Sequence, residues 1–168
     1  LVVYVGSTEA EARARQRALD ELLPVASSLR QLGGFVGQDC SGWALDEPVP
    51  PLPPLSAFKG PQGRYGTILR IVETERPTVR QLLGRLAAGG GHCTMVGTPE
   101  QIADQMAHWW RNGGADGFNL MPPALPRDID DFVDHVVPVL QQRGLFRRDY
   151  EGHTLRDHLG LARPPGRS

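Results

Sequence analysis

Residues 1–5 (LVVYV) form a continuous apolar, β-branched run closed by Gly6, the pattern of a strand buried on both faces. A helix signal follows at once. Thr8 and Glu11 have the spacing of a capping box, good helix formers continue to Pro24, and Ala14, Ala18 and Leu22 fall on one face. Between residues 33 and 77 periodicity disappears: Gly33, Gly34, Gly37, Gly42 and the run PVPPLPP interrupt any regular element, which predicts an irregular insertion. Within it, residues 65–72 (YGTILRIV) fit a strand or a turn of helix equally well.

Order returns at Thr78 and Gln81, a second capping box ahead of Leu82, Leu83 and Leu86, with a helix stop at Gly89, Gly90 and Gly91. Residues 93–96 (CTMV) predict a strand. Thr98, Pro99 and Gln101 then make a helix start with an N-cap, a first-turn proline and a box partner. Ile102, Met106, Trp109 and Trp110 share one face of that helix, predicted to be core against a sheet, and Gly113 and Gly114 end it. Residues 116–121 (DGFNLM) read as a third strand, closed by Pro122 and Pro123. The last helix has Asp128, Asp130 and Asp131 at the positive end of its dipole and Ile129, Phe132, Val133, Val136 and Leu140 as its apolar stripe. Pro138 predicts a kink in it and Gly144 its end. Residues 145–168 are a polar tail with a short turn of helix at 154–159.

Strands alternating with helices predict a parallel sheet covered by helices. Three parallel strands leave two open edges, so the expectation is the C-terminal part of a larger α/β protein, an expectation also drawn from a start without methionine inside a strand.

Composition narrows the function classes. The chain has 168 residues, 40% hydrophobic and 22% charged, with 18 basic against 19 acidic side chains and a net charge of −1. That is an ordinary globular composition without an electrostatic footprint for nucleic acid or an anionic membrane. Cys40 and Cys93 are too few for a disulfide framework or a structural zinc site, so a reducing, cytoplasmic setting is expected. No apolar run approaches the length of a membrane span, and no signal-peptide pattern opens the chain.

The five histidines, His92, His108, His135, His153 and His158, suggest no metal centre. His135 follows Asp131 by four residues and Asp134 by one, which reads as an exposed ion pair rather than a ligand set. Gly97 and Thr98, opening a helix, could receive an anion, although neither they nor the triple glycine match a nucleotide-binding motif. Trp109 and Trp110 could stack a ring but fit core better, and the Asp128 to Asp134 cluster reads as a solvated helix start. If the strands belong to a barrel, Gly6, Ser7 and Thr8, then Gly97 and Thr98, then Asn119 and Met121 lie at the strand ends where βα loops build active sites.

Four stretches carry a resemblance: VGTPEQIADQM (96–106), GGADGFNLMPP (113–123), DDFVDHVVPVLQQRGLFRRDYEGHTLRDHLGL (130–161) and GQDCSGWALDEPVPPLP (37–53). In order and over nearly the whole chain, they resemble the C-terminal portion of the nitrilotriacetate monooxygenase branch of the bacterial-luciferase-like flavin monooxygenases. The resemblance implies a (β/α)₈ barrel with a long insertion at 33–77, residues 1–5 being about the sixth strand and 116–121 the eighth. It further implies reduced FMN delivered by a separate NAD(P)H-dependent flavin reductase, O₂ and a small organic substrate, and allows a homo-oligomer of the longer protein. The earlier strands that grip the flavin in this family have no counterpart here, so no catalytic residue carries over and the chain alone is expected to be inactive. Gly97, Thr98, Asn119 and Met121 remain as strand-end candidates for cofactor binding. The alternatives are a stand-alone, non-catalytic α/β binding protein derived from the barrel and a flavin- or deazaflavin-dependent reductase of the same superfamily.

Overall fold

The structure, a computed structural model, describes residues 1–89, 92–162, 164 and 166. The described elements are β1 (Val2–Val5), α1 (Glu9–Glu21), α2 (Val25–Val36), α3 (Gln62–Glu75), α4 (Val79–Gly89), β2 (Thr94–Gly97), α5 (Pro99–Arg111), α6 (Arg127–Asp131), a π turn (Phe132–Val136), α7 (Val137–Gln142) and α8 (Leu155–His158). β1 and β2 pair in parallel, Val2 opposite Thr94 through Val5 opposite Gly97. Every residue of β1 is buried, as its unbroken apolar sequence requires.

Two apolar clusters hold the chain together. Val3, Val5 and Met95 pack with Ile102, Ala103 and Met106 of α5 and with Phe132, Val136 and Leu140 of the last helix. The second cluster is helical: Leu29, Leu32 and Val36 of α2, Tyr65, Ile68 and Ile71 of α3, and Leu82, Leu83 and Leu86 of α4.

That helical cluster corrects the irregular span expected at 33–77. Gly33 and Gly34 lie inside α2, residues 65–72 lie inside α3, and only residues 37–61 lack a long element. Two interior glycines cost about 1 kcal/mol each against alanine, less than burying three large side chains on each helix returns. Gly33 also admits the Gln38 carbonyl, which a Cβ would meet at 2.7 Å. Gly37 does break the helix, at φ +70°. The intervening loop is pinned. Tyr65 donates to the Pro53 carbonyl at 2.6 Å, its ring stacks on Phe58 at 3.9 Å, and Val49 and Val79 exchange backbone bonds with Pro77 and Glu47.

Three expected apolar faces also shift. Ala14, Ala18 and Leu22 of α1 are exposed, and the helix instead buries Ala12 beneath Gly6, where a Cβ would meet the Ala12 nitrogen at 2.5 Å. On α5, Trp109 and Trp110 are 40% and 55% exposed while Ala103 and Ala107 are buried, because small side chains let the helix lie close on the strands. In the last helix Val133 is exposed and Asp128 buried, its carboxylate accepting from the Ala124 nitrogen at 2.8 Å. This helix passes Pro138, which has no N–H to donate, through the π turn rather than breaking.

The sheet has two strands among the described residues, not about three. Residues 116–121 form no strand and make a single rung: the Leu1 nitrogen donates to Asn119 O at 2.8 Å and the Met121 nitrogen to Leu1 O at 2.9 Å. Their neighbour is β1, not β2.

The helix punctuation follows the sequence closely. Thr78 with Gln81 and Thr98 with Gln101 close reciprocal boxes. Gly113 at φ +68° and Gly144 at φ +68° end α5 and α7. Of the expected stop after α4, Gly89 is the last helical residue, and Gly90 and Gly91 lie outside the described residues.

Candidate functional site

The carboxyl ends of β1 and β2 lie side by side, so Gly6, Ser7, Gly97 and Thr98 share one rim of the sheet. The rim is kept bare by necessity: a Cβ on Gly6 would strike backbone atoms of Ala12 and Thr8, and one on Gly97 would meet Gln101 Oε1 at 2.5 Å. Beside it opens a cavity of about 200 Å³ lined by Val5, Gly6, Ser7, Glu11, Arg15, Pro99, Asp131 and His135.

A continuous polar chain runs through this rim. Ser7 donates through its nitrogen at 2.8 Å and its hydroxyl at 2.7 Å to Glu11 Oε2. The other oxygen of Glu11 accepts from Arg15 Nη2 at 2.9 Å, and Arg15 Nη1 reaches both Val5 O at 2.9 Å and Asp131 Oδ2 at 2.5 Å. Hydrogen bonds from the Ser7 hydroxyl and nitrogen hold the Glu11 carboxyl below its ordinary range. On the β2 side Glu9 accepts from Arg13 at 2.8 Å and from Gln101 at 3.3 Å, and these bonds lower its carboxyl in the same sense. The expected box between Thr8 and Glu11 is therefore open: Thr8 caps α1, but Glu11 turns to Ser7 and Arg15.

The four strand-end candidates separate into two pairs. Gly97 and Thr98 are on the rim, and the Thr98 nitrogen and Oγ1 are engaged by Gln101 at 2.9 and 3.3 Å. Asn119 and Met121 lie beside Leu1, at the other end of β1, about 13 Å away along the strand. Asp131, expected to pair with His135, pairs with Arg15 instead, and His135 stands exposed at the cavity edge. Sequence reasoning placed Ser7 at a strand end but read Glu11 only as a capping partner and missed Arg15; the Glu11 to Arg15 spacing of four on a helix was the available signal.

A whole flavin does not fit these residues. The rim cavity falls short of the 300 Å³ at which ligand pockets begin, and Glu11 and Asp131 put two carboxylates into its lining, already paired with Arg15. A larger groove of about 530 Å³ runs past Thr94 and Val96, but Arg13, Arg17, Asp20, Glu75 and Arg85 line it, which is no apolar slot for a ring system. Among the described residues, no helix is long and apolar enough to cross a membrane.

No family model matches the chain. It is 46% identical over 165 residues to nitrilotriacetate monooxygenase component A of Aminobacter aminovorans, covering 98% of this chain and 36% of that protein. Its fold is similar to DmoA from Hyphomicrobium sulfonivorans, with a TM-score of 0.71 at 30% identity over 95% of this chain and 33% of that one. It is also similar to riboflavin lyase RcaE, solved with modified FMN and riboflavin, with a TM-score of 0.62 at 27% identity over 95% of this chain and 34% of that one. The chain thus spans about a third of the length of the relatives it matches, and its fold is part of a luciferase-like (β/α)₈ barrel.

Proposed function

We propose that this chain, homologous along nearly its whole length to nitrilotriacetate monooxygenase component A, supplies the last units of a flavin-dependent monooxygenase barrel. The observation that carries the reading is the 46% identity over 165 residues, which spans the helical insertion and the tail as well as the strands. Residues 1–168 then form one part of a single barrel domain, with 145–168 as its tail. The reaction is insertion of one oxygen atom from O₂ into a small organic substrate, in the cytoplasm, with reduced FMN supplied by a separate NAD(P)H-dependent reductase.

Because the rim does not accommodate a flavin by itself, the cofactor's chemistry is completed by groups outside these residues. This chain contributes the rim. Gly6 and Gly97 leave the strand ends open to close backbone approach, Ser7 and Thr98 put hydroxyls beside them, and Arg15 fixes the end of β1 against the last helix. Gly97 and Thr98 are the cofactor-facing candidates this geometry favours; Asn119 and Met121 join them only in another placement of residues 116–121.

The test compares the 168-residue chain with the same chain joined to the preceding residues of nitrilotriacetate monooxygenase component A. Flavin fluorescence should report no micromolar FMN binding by the former and clear binding by the latter, with reductase-dependent substrate oxidation. Micromolar binding by the short chain would overturn the division of the site, and none by the joined protein would overturn the reading itself.

A further inference from the structure

The groove past Thr94 and Val96 is separate from the rim, for no residue lines both. Its walls come from the two halves of the fold. Arg13, Gln16, Arg17 and Asp20 share one face of α1 at helical spacing, and Gln81 and Arg85 of α4, one turn apart, line the same space. α1 covers the strands, whereas α4 belongs to the helical cluster, so the groove marks the seam between the two.

Its volume, about 530 Å³, is that of a small-molecule site. Its chemistry is one-sided. The guanidinium groups of Arg13, Arg17 and Arg85 are joined by the side-chain amides of Gln16, Gln81 and Gln105. Gln81 Oε1 is taken by the Thr78 nitrogen at 2.9 Å, which leaves its amide nitrogen to donate. Arg85 pairs with Glu75, and Arg13 with Glu9, which is outside the lining; among the described residues Arg17 has no ion pair.

Asp20 decides the sign of the site. Its carboxyl rests against Gly84 of α4, where a Cβ would meet the Asp20 Cγ at 2.3 Å, so a glycine is needed to admit it. Burial pushes this carboxyl up to about 6, and the Tyr4 hydroxyl of β1, raised to about 12 by burial and by the charges of Asp20 and Asp128, stays neutral beneath it. The other acid of the lining, Glu75, is held by Arg85. Once Asp20 takes a proton it adds a donor and removes a negative charge, and the walls then offer donors and positive charge in excess.

We propose that this groove binds a small acyclic dianion carrying phosphate or carboxylate groups, gripped between Arg13 and Arg17 of α1 and Arg85 of α4. Guanidinium groups suit both kinds of oxyanion. An anion arriving beside Asp20 favours its protonated form, so binding takes up a proton and strengthens as pH falls through about 6. The site stands apart from the flavin reading, and neither depends on the other.

Ethane-1,2-disulfonate and fumarate are both dianions above about pH 5.5, and they present phosphate-like and carboxylate geometry without titrating themselves. Calorimetric titration of the 168-residue chain at constant ionic strength should show binding of at least one in the millimolar range or tighter, and the tighter probe names the group. Affinity should be at least about fivefold higher near pH 5.5 than near pH 7.5. Arg17→Gln should weaken binding at least about fivefold with its circular dichroism melt unchanged, and Asp20→Asn should keep binding while flattening its pH dependence. The joined protein takes the place of the short chain if the latter lacks a cooperative melt. No binding of either probe by a folded protein would overturn the site; so would affinity indifferent to Arg17→Gln, or affinity that rises with pH.

Discussion

Arg15 on α1 and Asp131 at the end of α6 are 116 positions apart in sequence and 2.5 Å apart in space. The same guanidinium holds the carbonyl of Val5, so one side chain ties the first strand, the first helix and the last helix together beneath the rim. Both partners are partly shielded, at 27% and 22% side-chain exposure.

Removing that tie should be felt across the fold. Arg15→Ala is expected to lower stability by about 1–2 kcal/mol, the lower part of the range for charged hydrogen bonds because water still reaches the pair. A urea-unfolding double-mutant cycle with Asp131→Asn should give a coupling near half of that. A coupling of zero would mean the two side chains do not meet in solution.

Asp20 gives a pH dependence of the less common sign. Burial pushes its carboxyl up to about 6, and its oxygens lie against Gly84 of α4. A raised acid favours the folded state when protonated, so its contribution is full below the unfolded value near 3.8 and is lost as pH rises through about 6. Asp20→Asn should therefore stabilise the chain at pH 7 by about 1 kcal/mol, discounted because water still reaches the partly buried group. Melting temperatures of the two proteins should converge below pH 4.

Two glycines should respond in opposite directions. Gly6→Ala forces a Cβ to 2.5 Å from the Ala12 nitrogen and 2.8 Å from Thr8 O, both backbone atoms. It should cost about 2–3 kcal/mol or prevent folding. Gly34→Ala, inside α2 with nothing within 4 Å, should stabilise by about 0.5–1 kcal/mol. Thermal denaturation followed by circular dichroism measures both.

Thr98→Ala removes the acceptor for the Gln101 nitrogen and opens the capping box of α5. A loss of about 1 kcal/mol is expected. Thr98→Ser should restore most of it, since the hydroxyl alone is required.

Trp110 is 55% exposed and should be dispensable for folding. Trp110→Ser is expected to change the free energy of urea unfolding by less than about 0.5 kcal/mol, whereas Ile102→Ala, at zero exposure, should cost about 2–4 kcal/mol.

What was written locally was legible in the sequence. The capping residues of α1, α4 and α5, the glycine stops at 113 and 144, the buried run of β1 and the stripe of Phe132, Val136 and Leu140 depend on neighbours a few positions away. The hydrogen bonds of the caps and stops are short-range, so residue order determines them, and the resemblance to the monooxygenase branch rests on such stretches. What tertiary structure decided needed partners distant in sequence. α2 and α3 became helices despite their glycines because each had an apolar face to bury in the cluster they share with α4. Ala12, Ala103 and Ala107 went inside while Trp109 and Trp110 stayed out because closeness to the strands, not hydrophobic size, selected the buried face. Arg15 met Asp131 because the chain folds back over the end of β1. The edge taken by residues 116–121 is of the same kind: their sequence specifies an extended segment with one apolar face, but a strand's partner is set by which sheet edge is free, and that is a property of the whole assembly.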